Sequence, residues 1–371
     1  MNGLRLNLCQ DLPIPLEVAF DCAPGEILAL VGPSGSGKTT ILRAIAGTYK
    51  PEQGFIKVGE TVWFDAGANV FIPSHDRSVG MVFQNYALFP HMNALENVAA
   101  ALGHLPRNQR KLRAHELLDR VNLSGLEERR PGSLSGGQQQ RIALARALAR
   151  DPAVLLLDEP FSAVDRATRQ RLYREIAELH SSLSMPVVLV THDLDEAMML
   201  ADRVAIVHRG RLLQIGVSSE VALKPASAEV ARLLDLRNIF KATVIEHDAQ
   251  QKLTYLDWCG LKLEAGLNLN SPGGDDISWV VPDGYVVLHR RDRPSRGEHE
   301  NPVPGTIGSL VVIGQMAQLT LIPDHEPSLP IHFSIPLHVA SRNGIEVGAE
   351  AAVSLLAEGI HIMSLQVDNE A

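Results

Sequence analysis

Apolar positions along the chain follow two regimes. In the first half, short unbroken apolar runs at Ile27–Val31, Val79–Phe83, Ala153–Leu157, Val187–Thr191 and Val204–His208 are separated by longer stretches of mixed polarity. A run with no alternation leaves no solvated face, so these read as strands of a mainly parallel sheet covered on both sides by helices. Between Phe89 and Asp151 the strand signal gives way to helical spacing at Leu95–Leu102, Arg110–Val121 and Gln138–Arg150, which predicts a helical subdomain (about 89–151) inserted into the sheet domain. A further helix around Glu229–Asp235 is expected to close a first domain of residues 1–237. From Phe240 onward short β-rich runs recur at even spacing, among them Lys241–Glu246, Leu253–Trp258, Gly308–Ile313, Met316–Leu321 and Ile331–Ile335, with Gly and Pro turns between them. That pattern predicts a small all-β domain over 238–371, built as one barrel or a pair. Polar stretches at Asn268–Asp276 and Arg290–Asn301 read as surface loops without chemistry.

Composition narrows the function. A chain of 371 residues is too long for one typical core and supports two domains. Its formal net charge of −9 argues against a domain-wide nucleic-acid surface, and the basic run Arg107, Arg110, Lys111, Arg113 reads as a solvated helix face. The cysteines, Cys9, Cys22 and Cys259, are odd in number and far apart, which suits reduced thiols better than a disulfide framework or a metal site. No N-terminal stretch has the form of a signal peptide, and no apolar run approaches the roughly 20 residues that span a bilayer. Work at a membrane is therefore expected to go through a partner.

The candidate chemistry starts where the first buried strand ends. Gly32-Pro33-Ser34-Gly35-Ser36-Gly37-Lys38-Thr39 leads from Ile27–Val31 into a helix opened by Thr40. Glycines let backbone N–H groups turn inward, and the helix N-terminus adds partial positive charge. Lys38 can reach β- and γ-phosphates, and the Thr39 hydroxyl can ligate Mg²⁺. Further features come in order along the chain. Gln84 ends a strand, where its amide can meet Mg²⁺ or water. Leu134-Ser135-Gly136-Gly137-Gln138 precedes an apolar-faced helix and offers a second anion-binding N-terminus. The strand Ala153–Leu157 runs into Asp158 and Glu159, a costly place for charge unless it serves a metal or a reacting water. There Asp158 suits Mg²⁺ through its water shell, and Glu159 suits polarising the attacking water. Ser162–Asp165 comes next, then His192 at another strand end, where it can hydrogen-bond a γ-phosphate. Each feature alone is a common turn or cap; their order behind a phosphate loop is what carries the reading.

In this order the motifs resemble those of an ATP-binding cassette ATPase: Gly32–Thr39 the phosphate loop, Gln84 the Q-loop, Leu134–Gln138 the signature, Val154–Glu159 the Walker B strand with its glutamate, Ser162–Asp165 the D-loop and His192 the switch histidine. The resemblance covers roughly residues 1–235 and implies a P-loop NTPase fold with ATP and Mg²⁺ as ligands. It implies Thr39, Gln84 and Asp158 at the metal, and Glu159, His192 and Gln84 in hydrolysis. It also implies a head-to-tail homodimer in which Ser135 and Gly137 of one copy meet the γ-phosphate held by Lys38 of the other, with Gly136, Gln138 and Asp165 contributing to the nucleotide site. In many such ATPases an aromatic upstream of the loop stacks on adenine. Here Leu6–Gln10 has none, and Phe20, the one upstream candidate, reads as core.

The C-terminal part resembles the oligomer-binding-like accessory domain of importer ATPases, notably at Val281–Leu288 and Val347–Val353. Leu88–His91, and Trp63–Asp65 ahead of Ile72–Arg77, look most like the molybdate and sulfate branch; polyamine, ferric iron and sugar branches stay open. The resemblance implies an ATP-hydrolysing subunit on the cytoplasmic face of the inner membrane. Its expected partners are a transmembrane permease, meeting it around Asn85–Asn97, and through that permease an external solute-binding protein, with no nucleic acid. A soluble cassette ATPase and an anion sensor remain as rivals.

Overall fold

A computed structural model describes residues 3–162, 164, 169–170, 172–174, 183–289 and 299–364. The chain divides into two compact units, Met1–Ser219 and Glu220–Ala371.

The first unit is built on one eleven-stranded sheet. Its strands are Leu4–Gln10 (β1), Leu16–Cys22 (β2), Ile27–Val31 (β3), Gln53–Val58 (β4), Thr61–Asp65 (β5), Val70–Phe71 (β6), Val79–Val82 (β7), Val154–Asp158 (β8), Val187–Thr191 (β9), Arg203–His208 (β10) and Arg211–Val217 (β11). The apolar runs of the sequence lie side by side in the order β10-β3-β9-β8-β7 with every neighbouring pair parallel. β3 and β9 are buried at every position, as an unbroken apolar run requires. Beside this parallel centre β1, β2, β4, β5 and β6 form an antiparallel arm, so the sheet as a whole is mixed. β1 and β2 alternate strictly between buried and exposed residues, so each has one wet face. Phe20 points to the buried side and belongs to the core beneath the arm, as expected for it.

Three helices form the segment between β7 and β8: Ala94–Ala99 (α2), Arg107–Arg120 (α3) and Gly136–Leu148 (α4), after Lys38–Ala46 (α1) behind the phosphate loop. α2 starts in a capping box, with Asn93 Oδ1 accepting from Glu96 N and Glu96 returning a carboxylate to Asn93 N. Asn97, placed by sequence on the outer coupling surface, is instead fully buried. It donates to the carbonyls of Phe89, Met92 and Asn93 and accepts from Phe89 N, so it ties the preceding loop to the helix.

At the other end of α1, the buried Arg77 donates to the carbonyls of Ala44 and Ile45 at 2.7 and 2.6 Å, and to Ile72 at 2.7 Å. Its guanidinium lies 5.5 Å from the Trp63 ring centre and 5.4 Å from that of Phe71. A cation at a helix C-terminus suits the local dipole; burial nevertheless pulls the Arg77 pKa down to about 10.

The second unit carries two five-stranded antiparallel sheets. One joins Ile239–Asp248, Leu253–Trp258, Leu261–Gly266, Asp276–Val280 and His361–Ser364; the other joins Val286–His289, Glu300–Ile313, Met316–Pro323, Ile331–Pro336 and Glu350–Leu356. Their inner faces share a single core in which Trp258 and Trp279 meet edge to face at 5.3 Å, each 4.9 Å from Phe240. The helix Ala228–Leu233, read from sequence as the close of the first domain, packs Ala231 against Val280 and Met363 inside this second unit. Residues 290–298 of the polar stretch Arg290–Asn301 lie outside the described residues. Among the described residues no helix is long and apolar enough to cross a membrane.

Arg77→Met keeps much of the apolar volume and removes the donors to these buried carbonyls. The expected loss is about 3 kcal/mol of stability, from stranded acceptors and a lost charged hydrogen bond. Urea unfolding followed by circular dichroism measures it.

Candidate active site

The phosphate loop is held in shape by backbone geometry that only glycine meets. A Cβ on Gly32 would lie 2.0 Å from the Val207 carbonyl, and Gly37, the N-cap of α1, sits at φ 101°. Loop and helix start line a cavity of about 250 Å³ together with Ile14 and Glu159. The first N–H groups of α1 have no intrahelical partner, which makes this end an anion seat. Lys38 is buried there, and its ammonium donates to the carbonyls of Gly32 and Pro33 at 2.7 and 2.8 Å and to Ser36 Oγ at 3.4 Å. Burial lowers its pKa, while Glu159 and Asp158 act in the opposite direction. An incoming phosphate thus competes with the loop's own carbonyls for the lysine.

The carboxylates come from β8. Asp158 Oδ1 accepts from Thr39 Oγ1 at 3.4 Å, joining the strand end to the first turn of α1. Burial raises the Asp158 pKa; the Thr39 hydrogen bond lowers it and neighbouring Glu159 raises it. A hydroxyl and a carboxylate side by side are hard oxygen donors that fit Mg²⁺. This metal is commonly bound by one or two carboxylates plus substrate phosphates. Among the described residues no cluster of three or more His, Cys, Asp or Glu could hold a metal ion.

Glu159 adopts a left-handed φ of 44° directly after β8, while its N–H still donates to Val190 O at 2.9 Å. Its carboxylate is shared. Gln84 Nε2 donates to Oε2 at 3.0 Å, and His192 Nδ1 lies 3.2 Å from Oε1. Strand ends of β7, β8 and β9 therefore converge on one carboxylate beside the phosphate cavity. The fold brings together the sequence candidates Lys38, Thr39, Gln84, Asp158, Glu159 and His192, with Gly32 to Thr40 forming the loop.

Ser135 and Gln138 are satisfied by each other in a capping box at the start of α4: Ser135 Oγ accepts from Gln138 N at 3.3 Å, and Gln138 Oε1 accepts from Ser135 N at 2.9 Å. Gly136 and Gly137 complete that first turn, with Ser135 at its exposed edge. Asp165 lies outside the described residues; Ser162, before it, hydrogen-bonds the Glu159 carbonyl at 2.9 Å.

Some contributors escaped the sequence reading. Ile14, exposed and apolar, lines the phosphate cavity, and its place just ahead of β2 is the signal that was available. Arg146, in the last turn of α4, donates to the carbonyls of Ala87 and Tyr86 at 2.7 and 2.8 Å. Tyr86 and Ala87 both take left-handed φ, so the guanidinium holds a turn that the loop after Gln84 would not adopt unaided. Nothing local to Arg146 announces that contact.

A sequence model of the ABC transporter family matches residues 16–162. The chain is 37% identical over 325 residues to an Fe(3+) ions import ATP-binding protein of Rhizobium etli, covering 84% of this chain and 90% of that protein. It is 42% identical over 312 residues to a sulfate/thiosulfate import ATP-binding protein of Nitrosomonas europaea, covering 82% and 81%. With a sulfate/thiosulfate import ATP-binding protein of Rhizobium meliloti the identity is 44% over 238 residues, or 62% of this chain and 67% of the relative.

Lys38→Met removes the charge and leaves the loop backbone. Losing a buried charged contact of about 3 kcal/mol should weaken nucleoside triphosphate binding roughly a hundredfold. Titration with a fluorescent triphosphate analogue measures this, and an unchanged Kd would remove Lys38 from the phosphate site.

Proposed function

The chain belongs to the ABC transporter family and hydrolyses ATP, and from that premise we propose that it powers import of an oxyanion, sulfate foremost, through a membrane permease. The observation that carries the proposal is the shared carboxylate of Glu159 beside the phosphate cavity, read with an import protein to which 82% of the chain aligns. In this reading the first unit, Met1–Ser219, is the motor and the second, Glu220–Ala371, an accessory domain. The motor sits on the cytoplasmic face of the inner membrane, and an external solute-binding protein loads the permease.

Glu159 is the base that orients the attacking water, since its carboxylate lies at the cavity wall. Gln84 fixes one of its oxygens, and His192 fixes the other and supplies a donor toward the γ-phosphate. Lys38 and the amides of Gly35–Thr40 neutralise the phosphates. Thr39, Gln84 and Asp158 would hold Mg²⁺, which when bound would offset phosphate charge. The start of α4 at Ser135–Gln138, whose cap Ser135 is exposed, completes the site of a second copy together with Asp165, so the active form is a head-to-tail homodimer. Phe83 and Phe89, both exposed and flanking Gln84, give the permease an apolar contact whose occupancy reaches the site through that glutamine.

Ferric iron is the second reading, favoured by the Rhizobium etli relative that aligns over 84% of the chain. Glu159→Gln separates these. The variant should bind ATP, persist as a dimer in light scattering, and turn over at least roughly a hundredfold more slowly. In source cells it should abolish uptake of labelled sulfate and spare ferric iron. The opposite pattern would reassign the cargo, and wild-type turnover would remove Glu159 from the reaction.

A further inference from the structure

Glu196 is an acid whose surroundings suit a neutral group. It lies in the first turn of the helix Leu194–Leu200, four positions beyond His192, and is only 4% exposed. One carboxyl oxygen accepts the Thr191 hydroxyl at 3.0 Å; the other, Oε1, is buried with no hydrogen-bond partner among the described residues. The Thr191 hydroxyl oxygen in turn accepts from Asp193 N at 3.0 Å. Asp193 caps the helix, its Oδ1 accepting from Glu196 N at 3.2 Å, and its Oδ2 lies 3.4 Å from Arg169 Nη1. Arg169 donates its other terminal nitrogen to Val164 O at 3.1 Å, in the segment beyond Ser162. The residues on both sides of His192 are thus fixed by bonds that lead to one buried carboxyl group.

We propose that Glu196 is a positioning residue for hydrolysis, whose carboxyl holds the Thr191–Asp193 turn and thereby keeps His192 against Glu159. This rests on the reading of Glu159 and His192 as the hydrolytic pair. It acts as a neutral acid. Burial is the main cause that pushes its pKa up to about 8; the Thr191 hydrogen bond and Arg169 pull it down, while Asp193 and Glu159 push it further up. Tyr173 faces the same space, and burial with Glu196 and Asp193 raises its own pKa to about 12, so it stays neutral as well. Arg169 is the nearby cation: its terminal nitrogens reach Asp193 and Val164, and its Nε is buried with no hydrogen-bond partner among the described residues. Ionising Glu196 would add a negative charge to a buried space where Asp193 and Glu159 already act against it, and the turn would give way.

Linkage fixes the direction of the pH effect. An acid raised in the folded state makes folding stability decline as pH rises from the ordinary carboxylate range toward about 8, with no further change from this group beyond it. Activity tracks the proton on the folded protein and falls as pH passes about 8.

The test is ATP turnover from about pH 6 to about pH 9.5 for wild type, Glu196→Gln, Glu196→Ala, His192→Ala and Glu159→Gln, with melting temperature recorded at each pH. Glutamine keeps the shape and acceptor without the proton equilibrium, so Glu196→Gln should lack the alkaline fall in turnover that wild type shows, and its melting temperature should lose the wild-type decline below about pH 8. Glu196→Ala should lower kcat several-fold at neutral pH and leave KM for ATP in place. Infrared difference spectra should contain a protonated carboxyl stretch at neutral pH that is absent from Glu196→Gln, a readout independent of turnover. An alkaline limb retained by Glu196→Gln, or no such band, would overturn the role. Wild-type turnover in His192→Ala and Glu159→Gln would instead overturn the pair it serves, and the two failures are distinct.

Discussion

One carboxylate organises this molecule. Glu159 accepts a hydrogen bond from Gln84 and faces His192, and each of these residues arrives at the end of a different parallel strand. Side chains from β7, β8 and β9 can meet only if those strands are adjacent and in register, so the order of the sheet is a condition of the site. Parallel strands in turn require crossover connections, and those connections cover both faces of the sheet. The left-handed backbone at Glu159 is the local strain that turns the carboxylate from the sheet toward the phosphate cavity.

Much of this was legible because the parallel strands need burial on both faces. Runs such as Ile27–Val31 and Val187–Thr191 have no polar break, and the structure places them as neighbours. The antiparallel arm was missed for the complementary reason. Leu4, Leu6 and Leu8 alternate with polar residues that look unremarkable without the partner strand that pairs them with Cys22, Phe20 and Val18. The boundary between units was displaced because the helix Ala228–Leu233 has the same local signature whichever core receives it. Ala231 shows its allegiance only through its contact with Val280 and Met363.

At the site, residue types with a fixed offset from the phosphate loop were found by spacing, while residues acting through backbone contacts were not. Arg77 reaches the carbonyls of α1 from more than thirty positions away, as the separations of 33 and 32 residues make plain. Glu196 carries an ordinary helix-capping context, and only its burial and its unpartnered oxygen distinguish it. Asn97 sits beside Glu96 in the helical run Leu95–Leu102 yet forms the buried post beneath Phe89. Hydrogen bonds from side chain to distant carbonyl leave no periodic trace in a sequence.

The helix α4 joins two of these features in a way that its length makes mechanical. Ser135 caps one end, and Arg146, one turn from the other end, grips the carbonyls of Tyr86 and Ala87. A helix of 13 residues is a stiff rod about 20 Å long. The rod thus ties the exposed cap at Ser135 to the turn that follows Gln84, with the guanidinium as the pin between them.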